Sequence, residues 1–225
     1  MILAAVSDKT PQPLRIAAAR CASFREVLDL PERPVVLAVD MPIGLLDRPR
    51  PGGRLCDREA RKLLGRGRAS SVFTPPTRSG LSATAYAEVV ALNGSGMSKE
   101  AFNIVPKIRE VDDAIAAADQ KRVFEAHPEL IFASLGGRPM PRSKKTATGR
   151  RDRGRLVRRV FGRAFNDPVR LRLEHGAGNL GLDDVLDAYA LAYVADCIRR
   201  GTARRLPSLG RPQRDGRGLR MEIWF

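Results

Sequence analysis

Residues 34–45, "PVVLAVDMPIGL", constrain the fold more than any other stretch of this chain. Val35, Val36, Leu37, Ala38 and Val39 form an unbroken apolar run, the pattern of a strand covered on both faces in a parallel or mixed sheet. Asp40 ends the run, and "MPIG" turns the chain. A strand of this kind needs helices to cover it, and the flanking sequence provides them.

"MILAAVSD" predicts a strand, and "LRIAAARCASFREVLDL" either a second strand running into a helix or one long helix. Residues 49–80 predict one short basic helix, with Cys56, Ala60 and Leu63 or Leu64 at helical spacing, inside loops rich in Gly, Pro and Ser. "SATAYAEVVALNG" predicts a helix closed by Asn93 and Gly94. In "SKEAFNIVPKIREVDDAIAA", Pro106 must kink or restart a helix. "RVFEAHPEL" reads as another buried strand, and "GRLVRRVFGRAF" as a helix with Leu156, Val157, Val160 and Phe161 on one face. "LDDVLDAYALAYVADCIRRG" predicts a long helix, with acids in its first turn and Arg199, Arg200 and Gly201 at its close. A short strand in "RGLRMEIWF" follows. Strands alternating with helices define an α/β chain, and 225 residues at 43% hydrophobic suit one domain spanning 1–225.

The net charge of +15 is concentrated. Residues 142–172 hold twelve Lys or Arg against two acids, Asp152 and Asp167, and a second basic cluster spans 48–68. Such density favours a polyanionic partner, because each phosphate neutralised releases counterions. Aromatics at 5% argue against a stacking platform for single strands. No apolar run nears the roughly 18 residues of a membrane span, and the opening residues lack the basic flank of a secretion signal, so a soluble, cytoplasmic protein is expected. Cys21, Cys56 and Cys197, odd in number and widely spaced, suit reduced thiols; no CxxC or HxxxH spacing offers a structural zinc site. "GAGNLG", residues 176–181, matches GxGxxG but follows no buried strand, and no P-loop or GxSxG motif occurs.

The chemistry therefore rests on carboxylates. Asp40 ends one predicted strand and Glu125 closes the apolar part of another, while Asp184 and Asp187 share a face near a helix N-terminus. Strand ends surface and first-turn acids complement the helix dipole, so each alone has a structural explanation. Acids ending neighbouring strands, which run about 4.8 Å apart, would crowd together unless one took a proton or a cation sat between them. Oxygen ligands suit Mg²⁺ or Mn²⁺, and a pair of such ions is a clamp for phosphodiester hydrolysis.

"VVLAVDMPIGL", "CDREARKLLG", "SSVFTPP", "SKEAFNIVPKIREVD", "VFEAHPELIF", "SKKTATGR", "DDVLDAYALA" and "RGLRMEIWF" together resemble a bacterial family of uncharacterised predicted nucleases of ribonuclease H-like fold. The resemblance runs through nearly the whole chain in order. It implies a mixed sheet flanked by helices and a divalent-metal-dependent nuclease acting on nucleic acid, with Asp40, Glu125, Asp184 and Asp187 as metal ligands and Asp40, Glu125 and Asp187 as the catalytic group. Lys107, Arg109, Lys145 and His127 would grip the substrate. Family members open with a strand of the form "VAGVDG" carrying a further acid; the sequence starts at what resembles the second strand, and Asp8 ends the wrong strand to replace that acid, so either Met1 is an internal start of a longer protein or this copy lacks a core strand. The alternative that this departure raises is a non-catalytic nucleic-acid-binding protein with an incomplete ribonuclease H-like site. A third reading, a small phosphorylated substrate at the acids, lacks the duplicated domain and phosphate loops such enzymes carry.

Overall fold

A computed structural model describes residues 2–6, 15–94, 96–176 and 180–225. In chain order the elements are β1 (Ile2–Val6), β2 (Arg15–Ala19), α1 (Phe24–Leu28), β3 (Leu37–Val39), α2 (Leu55–Leu64), α3 (Tyr86–Asn93), α4 (Lys99–Asn103) and α5 (Val105–Ala114). There follow β4 (Val123–Glu125), α6 (Pro128–Gly136), α7 (Ala147–Phe161), α8 (Pro168–Glu174), α9 (Leu182–Arg199), β5 (Arg205–Leu206), β6 (Gln213–Arg214), β7 (Arg220–Met221) and β8 (Ile223–Trp224). The chain is thus mixed α/β with short strands. No helix among the described residues is long and apolar enough to cross a membrane. Asp8 and the middle of "GAGNLG" lie outside the described residues.

The chain forms two compact units, each assembled from separate segments. Unit 1 comprises residues 1–38, 128–203 and 225; unit 2 comprises 39–127 and 204–224. In unit 1, β1 and β2 pair antiparallel, with Ile2 opposite Ala19 and Val6 opposite Arg15. β1, α6, α7 and α8 all pack on α9. That central position explains why α9 is buried around most of its circumference: Val185, Leu186, Tyr189, Ala190 and Val194 all lie inside. Tyr189 is wedged edge-on against Phe161 at 5.2 Å, and its hydroxyl accepts from the Asn166 N–H at 2.9 Å, so its one polar atom is satisfied.

In unit 2 the Ala126 N–H donates to the Val39 carbonyl at 2.9 Å, which sets β4 beside the end of β3. Ala126 also bridges in parallel to Trp224, whose ring meets Phe124 edge-on at 5.5 Å. β5 pairs antiparallel with β8, and β6 with β7, so the C-terminal segment completes this unit. Leu45, Leu81, Val105 and Ile108 form a core here, with Phe73, Met97 and Phe102 packed against it.

Of the two readings of residues 14–30, the strand followed by a helix is the one adopted. Pro106 restarts a helix: α4 stops at Asn103, and α5 takes the proline in its first turn, where its missing N–H has no intrahelical partner to lose. The apolar run 35–39 forms a shorter strand than its composition predicts. Val35 is 73% exposed and only Leu37 is fully buried, because an unbroken apolar run marks the approach to a strand as readily as the strand itself.

Two glycines of α7 have opposite roles. A Cβ on Gly149 would lie 1.9 Å from the Ser143 carbonyl oxygen, whereas one on Gly154 would find only Leu186 Cδ2, at 3.9 Å. Gly149→Ala is therefore expected to destabilise by roughly 1–3 kcal/mol through overpacking, despite alanine's helix propensity. Gly154→Ala should stabilise by about 0.5–1 kcal/mol. Chemical unfolding of the two variants checks both signs.

Candidate functional site

Glu125 closes β4 and is buried. Its Oε1 accepts from Arg54 Nη2 at 2.6 Å; its Oε2 accepts from Arg54 Nη1 and from the Ile43 N–H, both at 2.7 Å. This is a bidentate guanidinium–carboxylate pair, the strongest geometry available to these groups. Arg54 precedes α2 and is itself buried. Its remaining donors reach Asp57 Oδ1 and Oδ2 and the carbonyls of Ile43 and Gly44, at 3.1 and 3.2 Å. Asp57 also accepts the Arg54 backbone N–H at 3.1 Å, capping the first turn of α2.

One buried cation thus serves two buried acids. Burial pushes the Glu125 carboxyl up to about 7, against the pull of the Arg54 guanidinium and the Ile43 amide. Burial disfavours the charged Arg54, but Asp57 and Glu125 more than offset it and hold the guanidinium well above the arginine range. Burial likewise raises the neighbouring Cys56 thiol well above its usual value.

The second acid group belongs to unit 1, on the first turns of α9. Asp187 Oδ2 accepts from Lys144 Nζ at 2.5 Å, and Asp183 Oδ2 from Lys145 Nζ at 2.7 Å. Both aspartates are buried and, four residues apart, share one helix face. Partial burial works against the Asp183 carboxylate, but its bond to Lys145 holds it below the usual range.

The lysine loop is firmly tied. Arg150 Nη1 donates to the Lys145 carbonyl at 2.7 Å, and Arg153 Nη1 to the carbonyls of Arg142 and Gly149 at 3.0 Å. Arg153 is fully buried and anchored by Glu129, 2.5 Å from its Nη2. The absent Cβ at Gly149 lets the Ser143 carbonyl rest on the helix.

The residues singled out from the sequence thus divide between the units. Asp40, Glu125, Lys107, Arg109 and His127 belong to unit 2, and Asp184, Asp187 and Lys145 to unit 1. Asp40 is exposed. Asp184 is exposed and its Oδ2 accepts the Gly181 N–H at 2.8 Å as a helix cap, while Asp183, which sequence reasoning passed over, is the partner of Asp187 under the lysines. Lys107 pairs with Glu110 on the surface of α5 at 3.0 Å. Arg109 donates to the Leu81 and Ala83 carbonyls, bracing a turn. His127 Nε2 lies 3.1 Å from the Ser71 carbonyl. Arg54 was missed because it sits in a basic cluster; the acid three residues on, in the capping position, was the available signal. Among the described residues, no three His, Cys, Asp or Glu side chains gather into one ligand set.

These elements define a mixed α/β protein with buried acids neutralised by its own cations. The chain belongs to the family described as "Protein of unknown function (DUF429)", whose model matches residues 2–210. No match was found among curated proteins or solved structures.

The Glu125 environment has a pH signature. A carboxyl whose folded pKa is about 7 instead of 4.5 binds its proton more tightly in the native state, so its contribution to stability falls as pH rises across that window and is constant above it. The unfolding free energy of the wild type minus that of Glu125→Gln is expected to fall by roughly 3 kcal/mol between the two ends of the window. A difference that does not vary with pH would contradict this account of Glu125.

Proposed function

We propose that the protein is a divalent-metal-dependent nuclease of ribonuclease H-like fold, hydrolysing phosphodiester bonds of nucleic acid. The observation that carries the reading is in unit 1: two buried aspartates one turn apart on α9, roofed by two lysines, on a helix packed against the arginine-rich α7. The outward side chains of α7 include Arg151, Arg155, Arg158 and Arg159. Positions four apart recur about every 6 Å along a helix, so Arg151 and Arg155 are spaced to meet successive phosphates, whereas Arg158 lies over the Phe165 ring and Arg159 donates to the Leu135 carbonyl.

The donor set of Asp183 and Asp187 fits a hard cation, being carboxylate oxygen alone. Mg²⁺ or Mn²⁺ bound there would supply Lewis-acid activation of water and of the phosphoryl group. Of the further ligands that the sequence resemblance assigns, Asp184 shares unit 1 with this pair and Asp40 belongs to unit 2. Glu125, also assigned, could ligate only by giving up a bond to Arg54 or to the Ile43 amide, so the reading leans on Asp187. Lys144 and Lys145 keep the acid pair neutral at rest, and the largely exposed Lys145 ammonium can also meet a phosphate oxygen.

A second reading, a nucleic-acid-binding protein without catalysis, draws on the same geometry. Asp183 and Asp187 each already have an ammonium partner, so their burial requires no metal.

Labelled RNA, DNA, hybrid and branched substrates incubated with Mg²⁺ or Mn²⁺ separate the two. The nuclease reading expects metal-dependent cleavage that drops at least about 100-fold in Asp187→Asn, the loss of a ligand being worth several kcal/mol. Cleavage undiminished in Asp187→Asn would contradict it; binding without cleavage would favour the second reading. Under either reading, Arg151→Ala and Arg155→Ala should each reduce the slope of log affinity against log salt by about 0.9 on duplex DNA.

A further inference from the structure

Unit 2 contains a cleft of about 620 Å³ that involves none of the acids discussed above. Residues 49–52 form one wall, residues 70–74 the other, and the segment around Asn93, Met97 and Ala101 closes the end. Its size falls within the roughly 300–1,000 Å³ of small-molecule sites.

The walls are fixed by buried and bridging polar groups. Arg61, reaching out from α2, donates to the Val72 carbonyl at 2.8 Å and to the Gly52 carbonyl, so one side chain ties both walls together. Arg58 Nη1 holds the Gly53 carbonyl at 3.0 Å. At the closed end, the buried Asn93 Oδ1 accepts from the Thr77 N–H at 2.8 Å and from Thr77 Oγ1 at 2.9 Å. A Cβ on Gly80 would come within 2.9 Å of that Asn93 oxygen, so glycine there is part of the construction.

The lining is chemically polarised. It includes the exposed guanidinium of Arg50 and the hydroxyls of Ser70 and Thr74 but, among the described residues, no carboxylate. Phe73 and Met97 also line it, and both pack from behind on the core of Leu45, Leu81, Val105 and Ile108, which presents an ordered apolar surface. An anion is favoured by the first group, and a flat apolar body by the second.

We propose that this cleft binds a nucleotide, its phosphate held by Arg50, Ser70 and Thr74 and its base resting against Phe73 and Met97. The inference is independent of the nuclease reading, since it uses a different part of the molecule and requires no metal. The same chemistry could come from a free nucleoside monophosphate or from one nucleotide of a strand.

Calorimetric titration with nucleoside 5′-monophosphates, inorganic phosphate and a short oligonucleotide lacking terminal phosphates tests it. The monophosphates should bind, and more tightly than phosphate alone. Arg50→Ala should weaken them at least about tenfold, the equivalent of one charge-assisted hydrogen bond. Gly96→Leu should block them, because a Cβ there meets nothing within 4 Å and the side chain can enter the cleft without straining the fold. Competition by the oligonucleotide assigns the site to a strand, and its absence to a free nucleotide; either supports the proposal. Failure of the monophosphates to bind, unchanged affinity in Arg50→Ala and Gly96→Leu, or an equal loss in Arg151→Ala, which would betray general charge attraction, overturns it.

Discussion

The guanidinium of Arg54, held between Glu125 and Asp57, is the interaction on which unit 2 is organised. It joins three segments distant in sequence: the turn after β3 through the Ile43 and Gly44 carbonyls, the start of α2 through Asp57, and the end of β4 through Glu125. The turn has little freedom elsewhere. Gly44 adopts φ +77°, and a Cβ there would lie 2.8 Å from Met221 Cγ, so the loop that supplies the carbonyls is also pressed against the C-terminal segment. Charges removed from water this completely are tolerated only when paired, and removing one partner strands the other at a cost of about 3–5 kcal/mol. The cluster also decides what Glu125 can do, because an acid whose two oxygens are both engaged is first a strut and only then a ligand.

Unit 1 follows the same logic with a different outcome. Arg153, buried and anchored by Glu129, holds two carbonyls that bracket the lysine loop, and that loop delivers Lys144 and Lys145 to the α9 acids. Here the buried arginine does not touch the acids of interest; it fixes the segment that does. The Lys145 side chain is 75% exposed while its partner Asp183 is nearly covered, so the pair has a solvent side from which phosphate or metal could approach. Composition alone counts Arg54 and Arg153 among the basic surface. Both are interior, while Arg48, Arg50, Lys62 and Arg66 in unit 2 and Arg151, Arg155, Arg158 and Arg159 on α7 are exposed.

What could be read in the sequence was periodic or terminal. Cys56, Ala60 and Leu64 line the buried face of α2 as their spacing predicts, while Leu63, equally well spaced, faces outward. Gly94 closes α3 in the left-handed conformation, and α9 is unmistakable from its acids, small residues and closing arginines. Less legible was which member of an adjacent pair performs a task. Asp183 and Asp184 differ by one residue and hence by about 100° around the helix, so one meets Lys145 and the other caps the backbone. Arg54 was hidden because an arginine's burial depends on acids supplied from elsewhere in the chain, which no local pattern encodes.

The most direct measurement is a double-mutant cycle on Arg54 and Glu125, with unfolding free energies of Arg54→Met, Glu125→Gln and the double variant taken above pH 7, where the carboxyl is ionised. The structure predicts a loss of about 3–5 kcal/mol in Arg54→Met, which strands two buried carboxylates, and a coupling energy above about 2 kcal/mol. Additive losses would contradict it, showing that Glu125 is not held by Arg54 and that its carboxylate is available for other chemistry.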